Sequence, residues 1–441
     1  MAATGVVEAL AGQAVAHRAR MAEPDVQRWA RRVFVDWLGV ALGGSTGLPA
    51  RALLAGLVPA AGPSRVIGST ERVAPSVAAM VNGAAAHTQE LDDIYAPGLY
   101  HPGAPTVAAA LAVADRLDTS VGRMLRAIAV GYEIGCRVAT DLGPAHYAHW
   151  HTTGTAGALG AAAAVADLHD ADIPTFANAI SLAATMCGGL QQTFRSDAAG
   201  KPLHAGAAAQ AGVAAAAAAV GGLTGALDVL EGPAGLAVAT GTDTQWQSSL
   251  AEWDEQPAVA RITVKPYQCC GHAFAPIDAA LSLRDRVRGA AVDEILVETY
   301  SAAVAVAGIA EPVSLAERRF SIAHLVSAAL THDPAQPFDP GVEPDAELRT
   351  LTRRVRLVVD RGFDERFPSR RGARVTVSVN GDRYSAEVPD RSGSPEKPLD
   401  DEQLAAKFVT ASGRGAGSAR ELLARLAATD PGRPVRTLDL G

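Results

Sequence analysis

Residues 151–168 read HTTGTAGALGAAAAVADL, a histidine, two threonines and a glycine followed by an alanine-rich run. The apolar spacing predicts a helix from Thr155 to Leu168, with Thr152, Thr153 or Thr155 as its N-cap. Side chains this small let helices pack closely, so the stretch implies a bundle whose helices meet through Ala and Gly. The pattern recurs on both sides. Helical spacing is predicted over Val26 to Leu42, Ser76 to His87, Pro105 to Asp115, Val121 to Leu142, Pro174 to Cys187 and Ala205 to Val220, and the first half of the chain reads as a helical bundle. The segment from Ala205 to Leu227 is long enough to span a bilayer. It is Ala and Gly rather than Leu and Ile, and Gln210 interrupts it, so it reads as a buried helix of a soluble protein.

After about Val264 the texture changes. Glu294 to Tyr300, Val355 to Asp360, Ala373 to Val379 and Tyr384 to Val388 are rich in β-forming residues, and the last two flank Asn380-Gly381, a hairpin signal. Helical patterns at Pro276 to Arg288 and Ile322 to Thr331 separate these strands, giving an α+β unit of about 130 residues. From Pro398 the pattern is helical again. The expected division is a helical domain over 1–264, an α/β domain over 265–396, and C-terminal helices over 397–441 that return to the first domain.

The chain has 441 residues, 48% of them hydrophobic and 20% charged, with 39 Lys and Arg against 47 Asp and Glu. That composition describes a soluble globular protein of two or three domains and excludes disorder and small disulfide scaffolds. The net charge of −8 offers no basic footprint for nucleic acid or an anionic membrane, and neither is an expected partner. Cys136, Cys187, Cys269 and Cys270 form no CxxC pair, and Met1 to Met21 lacks a secretory pattern; a cytoplasmic location is expected.

Titratable residues gather at element boundaries. His87, Glu90, Asp92, Asp93 and His101 fall within 15 residues on the way out of a predicted helix, a density that suggests a site. The spacing matches no standard metal signature, and no metal is expected; the aspartates alone would read as caps. His151 precedes one Ala-rich helix, Lys201 and His204 open another, and Lys265, Tyr267 and His272 lie at the junction into the α+β unit. Cationic groups converging from separate elements suit a small polycarboxylate, whose carboxylates exchange hydration for charge-assisted hydrogen bonds. No GxGxxG, P-loop or GxSxG pattern is present, so no cofactor is expected and serine-hydrolase chemistry has no support.

Several blocks, in order, resemble the MmgE/PrpD family: NGAAAHTQELDD (82–93), HPGAPTVAAALAVAD (101–115), GYEIGCRV (131–138), HTTGTAGALGAAAA (151–164), GKPLHAGAAAQAG (200–212), LTGALDVLEGPAGL (223–236), KPYQCCGHAFAPIDA (265–279) and RRFSIAHLVSAAL (318–330). The resemblance implies a mainly α fold, with a large all-helical domain completed by the C-terminal tail, a smaller inserted α/β lid domain, and usually a homodimer. It implies a lyase or epimerase acting on a small di- or tricarboxylate, in the manner of 2-methylcitrate dehydratase, iminodisuccinate epimerase or cis-aconitate decarboxylase. The positions it assigns are Glu90, Ile94, His101, His151, Lys201, Lys265 and His324. Three depart from the decarboxylase pattern: Glu90 stands for an aspartate, Ile94 for a threonine, and His324 for a tyrosine, exchanging a phenol of pKa about 10 for an imidazole of about 6.5. His101, His151, Lys201, Lys265 and His324 are therefore the expected catalytic residues, with Glu90, Asp93, Ile94, His204, Tyr267 and His272 binding substrate. The departures favour a dehydratase first, an epimerase or isomerase next and a decarboxylase third.

Overall fold

The alanine-rich run forms a helix over Thr152–Leu168 in which every residue is buried. The computed structural model describes residues 5–58, 60–196, 198–333 and 338–440, so Asp197 of the RSDAAGKPL stretch and residues 1–4 lie outside the described residues. Helix accounts for 57% of the chain and strand for 11%, which makes the protein mainly α with a small α/β portion. Two compact units emerge, one of residues 1–264 with 407–441 and one of residues 265–406.

In the first unit the order is α1 (Val6–Ala16), α2 (Pro24–Gly44), α3 (Leu48–Leu57), the two-stranded pair β1 (Ala61–Arg65) and β2 (Arg72–Val73), α4 (Pro75–His87), α5 (Gly103–Leu117), α6 (Val121–Tyr147), α7 (Thr152–Leu168), α8 (Ile173–Met186), α9 (Lys201–Val220) and the one-turn helices α10 (Leu236–Ala239) and α11 (Gln247–Leu250). Helices α4, α5, α7 and α9 pack on one another. Small residues set their separation: a Cβ on Gly206 of α9 would lie 2.4 Å from the Met80 carbonyl oxygen of α4, and one on Gly131 of α6 would lie 2.6 Å from that of Gly160 in α7. Among the described residues α9 is the helix long and apolar enough to cross a membrane by length and composition; here it packs against α4, α7 and α8. Helix α6 breaks at Gly143, whose φ is +61°, just before Pro144.

The second unit contains α12 (Phe274–Val287), β3 (Val292–Thr299), α13 (Ser301–Ala307), α14 (Leu315–Arg318), α15 (Ile322–Thr331), α16 (Ala346–Thr352), β4 (Val355–Val359), α17 (Arg361–Arg366), β5 (Ala373–Val379) and β6 (Asp382–Val388). The sheet order is β4-β3-β5-β6, with β3 and β4 parallel and the other pairs antiparallel. Asn380 and Gly381, at φ +51° and +89°, form the two-residue turn between Val379 and Asp382, the backbone demanded by a type I′ hairpin. Alternate residues Ala373, Val375, Val377 and Val379 of β5 are buried, and α12 packs against β5 and β6.

Helix α18 (Asp401–Ala411) crosses the division at residue 407, and α19 (Ala416–Ala427) lies in the first unit. Two anchors hold this tail there. Arg65 makes a two-pronged bond to Asp115 and donates to the carbonyls of Val435 and Leu438. Lys407, 5% exposed, pairs with Asp36 at 2.5 Å and donates to the Leu91 carbonyl at 2.9 Å. Sequence patterning located the long helices and the four-stranded sheet. It overlooked α1, α3 and the β1–β2 pair, which are short and weakly periodic.

Candidate active site

The loop from Thr88 to Pro102 carries Glu90, Asp92, Asp93 and His101. His87 is the last residue of α4 and fully buried. Glu90 has φ +56°, a left-handed backbone that is uncommon outside glycine and turns the chain sharply. The two aspartates that follow point to different partners. Asp92 Oδ2 accepts from His87 Nδ1 at 2.7 Å and faces His101 Nδ1 at 3.3 Å. Burial opposes its charge, but the His87 and His101 rings outweigh burial and hold Asp92 well below the usual carboxylate range. Asp93 instead accepts from the Gly103 N–H at 3.0 Å and from Tyr132 Oη at 2.8 Å. Burial, then the charges of Asp36 and Asp92, push its pKa up to about 7. One carboxylate is thus committed to charge while its neighbour shares a proton near neutrality, a divergence that environment alone produces.

His151 occupies the N-cap of α7. None of the three threonines caps this helix; Thr153 Oγ1 accepts the His101 N–H at 3.2 Å and Thr155 Oγ1 meets His146 Nε2 at 2.8 Å. The His151 ring stacks on His87 at 5.4 Å, meets the edge of Phe194 at 4.8 Å, and places Nδ1 3.2 Å from His204 Nδ1. Burial first, then the charges of His87 and Lys201, hold His151 well below the ordinary imidazole value and lower His204 as well. Lys201, the first residue of α9, bonds to Glu90 Oε1 at 2.5 Å and lies 5.1 Å from the centre of the Phe194 ring.

The loop and the starts of α7 and α9 therefore bring Glu90, His101, His151, Lys201 and His204 together. Asp93 is turned away toward Tyr132, and partly buried Ile94 forms a backbone bridge with Thr263. His87 and Asp92, which the sequence places in the titratable cluster without a role in catalysis or binding, join the group, as does Phe194, which it does not single out. The i, i+5 spacing of His87 and Asp92 was visible, but which of two adjacent aspartates faces the imidazoles depends on the turn at Glu90. His87, Asp92 and His101 are the group, among the described residues, whose ligand atoms lie within 4.8 Å of one another and could hold a metal ion. The 2.7 Å His87–Asp92 contact is a hydrogen-bond length, whereas two ligand atoms each roughly 2 Å from a tetrahedral metal stand about 3.3 Å apart, so a metal would require rearrangement.

The other expected residues belong to the second unit. Lys265 is 8% exposed. Tyr267 Oη donates to Asp278 Oδ1 at 2.8 Å, and His272 Nδ1 pairs with Tyr300 Oη at 2.8 Å. His324 lies in the first turn of α15, where its N–H is accepted by the Ser321 hydroxyl. Burial, then Arg318, lowers its pKa to about 4, and its Nε2 has no partner among the described residues.

The sequence matches the MmgE/PrpD N-terminal domain over residues 8–249 and the MmgE/PrpD C-terminal domain over residues 267–429. It is 25% identical to a cis-aconitate decarboxylase of Aspergillus terreus over 384 residues, covering 80% of this chain and 77% of that protein. A human cis-aconitate decarboxylase is 30% identical over 174 residues, 37% of this chain and 35% of that protein. With both domains matched across most of its length, the chain belongs to the MmgE/PrpD family.

Proposed function

We propose that the protein is a cofactor-independent lyase of a small di- or tricarboxylate, eliminating water as a 2-methylcitrate dehydratase does. Family membership and the decarboxylase relatives support a lyase-type enzyme. The observation that carries the finer reading is Asp92, which directs Nδ1 of both His87 and His101 toward itself, beside a neutral His151 and the cation of Lys201. Neutral His151 is the base. It removes the proton from the carbon next to a carboxylate, and the electron pair forms the carbon–carbon double bond as the bond to the neighbouring hydroxyl oxygen breaks. His101, paired with ionised Asp92, gives that oxygen a proton, so water leaves. Lys201 stabilises the charge that builds on the substrate carboxylate and must exchange Glu90 for it. His204 orients His151, and Lys265 and His324 are further candidates from the resemblance.

The test is proton NMR in deuterated water with 2-methylcitrate, cis-aconitate and a chiral hydroxy- or amino-dicarboxylate. Loss of water from 2-methylcitrate is the expected result. The curated relatives favour a second reading, decarboxylation, which would show as loss of carbon dioxide from cis-aconitate; deuterium exchange alone would mark an epimerase. No change in any substrate counts against the polycarboxylate class. His151→Ala and Lys201→Ala should each lower turnover about a hundredfold or more while preserving the fold. Wild-type rates in both would remove these residues from the mechanism. Turnover should survive chelators; inactivation by them would point to a metal held by His87, Asp92 and His101.

A further inference from the structure

A second charged cluster lies wholly within the second unit. Arg391 is 4% exposed, donates to the Gly271 carbonyl at 2.9 Å, and stacks over Phe274 at 5.6 Å. Half-buried Arg371 lies over Phe367 at 5.6 Å, and Phe367 stacks on Tyr300 at 4.7 Å. Neither guanidinium has a carboxylate within ion-pair distance among the described residues. Both bear on the same groups, the Cys270 thiol and the His272–Tyr300 pair, and Lys265 bears on Cys270 too. Burial, then the Arg371 charge, brings Arg391 down to about 10, while the exposed Glu396 is the last and weakest influence on it. On the same turn Ser394, 6% exposed, has a hydroxyl with no partner among the described residues.

A buried cation without a counter-ion is costly, and proteins ordinarily neutralise or pair it. The surroundings here do neither. His272 is held neutral, with burial lowering its pKa to about 4, and burial keeps Tyr300 protonated by raising its pKa to about 12. The cluster therefore carries positive charge with no internal balance. Access remains, because Cys270, His272 and Arg371 are only half-buried.

We propose that Arg391 and Arg371, with His272, Tyr300 and Ser394 around them, form an oxyanion site that takes a carboxylate or phosphate group. The planar fork of each guanidinium suits two oxygens of one anion, and the Tyr300 and Ser394 hydroxyls add neutral donors. The site shares His272 with the substrate-binding set that the resemblance implies, but it rests on the two guanidiniums and not on the dehydratase reading, since its ligand is recognised by charge and need not react.

Calorimetric titration of the full chain with inorganic phosphate, and separately with unreactive tricarballylate, tests it. Wild-type protein should bind at least one anion. Arg391→Gln should weaken that binding about tenfold or more and Arg371→Gln about threefold, as expected for lost charge-assisted bonds. Of the binding that Arg391→Gln weakens, tighter phosphate binding identifies a phosphate ligand and tighter tricarballylate binding a carboxylate ligand, whereas tricarballylate binding that only Lys201→Ala weakens belongs to the first unit and overturns the proposal for that anion. Arg391→Lys keeps the charge but loses the fork, so it should bind several-fold less tightly with an unchanged melting profile, which covers the case in which Arg391→Gln fails to fold. Absence of binding in the wild type, or unchanged affinity for both anions in the Arg391 variants, overturns the proposal. Turnover plays no part in this readout, so loss of the dehydratase reading would leave it intact.

Discussion

The buried cations described in the first unit and Arg391 in the second are balanced in opposite ways, although Arg318, also buried in the second unit, has Glu343 at 2.8 Å. In the first, Lys407 has an acid, Asp36, beside it, Arg65 has Asp115, and the His87 and His101 rings share Asp92. In the second, Arg391 is as deeply buried and has none. Closed internal accounts suit a framework that must be rigid before substrate arrives, whereas an open one leaves binding energy for a ligand to collect.

The largest expected effect breaks this contrast at its firmest point. Lys407→Met removes the ammonium beside buried Asp36 and should cost roughly 3–5 kcal/mol in denaturant unfolding, the usual penalty for removing one partner of a buried pair. Arg391→Met, by contrast, removes a cation that had no carboxylate beside it, at the loss of one hydrogen bond to the Gly271 carbonyl, and keeps the apolar contact with Phe274. In anion-free buffer it should cost less than about 1 kcal/mol or raise stability. Equal losses for the two variants would erase the distinction between Lys407 and Arg391.

Next comes Asp92→Asn, which keeps the shape but removes the charge from between the two imidazoles. Turnover should fall about a hundredfold with the melting temperature little changed, and an active Asp92→Asn enzyme would leave the carboxylate a merely structural role. Asp93→Asn, one residue on, should leave turnover within about tenfold of wild type, because its partners are Tyr132 and a backbone N–H.

Smaller effects concern pH. His146, His272 and His324 are each lowered to about 4 by burial. Between pH 6.5 and about 4 the unfolded chain takes up protons that the folded chain refuses, so stability should fall on acidification through that window. Thermal melts at pH 7, 6 and 5 should show it, and His272→Gln or His324→Gln should flatten the slope. Asp93 works in the opposite sense. Its folded pKa of about 7 lies above the unfolded value, so the folded form holds the extra proton and stability declines as pH rises from about 4 to 7. Asp93→Asn should remove that decline.

Much of this fold could be read before any coordinates. Apolar residues at helical spacing between polar breaks marked α2, α4 and α9, and Asn380-Gly381 marked the hairpin because few other pairs accept its backbone angles. The candidate site was legible only as a set of boundaries. His101, His151 and Lys201 stood out beside Gly or Pro, but the roles of Asp92 and Asp93 depend on a reversal at Glu90 that no propensity assigns to glutamate. The threonines of α7 looked like caps on local grounds. Tertiary partners claimed two of them, and His151 took the cap.

The bond from Lys407 to the Leu91 carbonyl joins positions 316 apart in the chain. During synthesis, residues 88–102 leave the ribosome long before their tether exists, and the whole of the second unit must be made in between. The tether from Lys407 to the loop holding Asp92 can form only after α18 has emerged and returned. Activity gained late and all at once, rather than in proportion to length translated, is the timing that follows for a nascent chain.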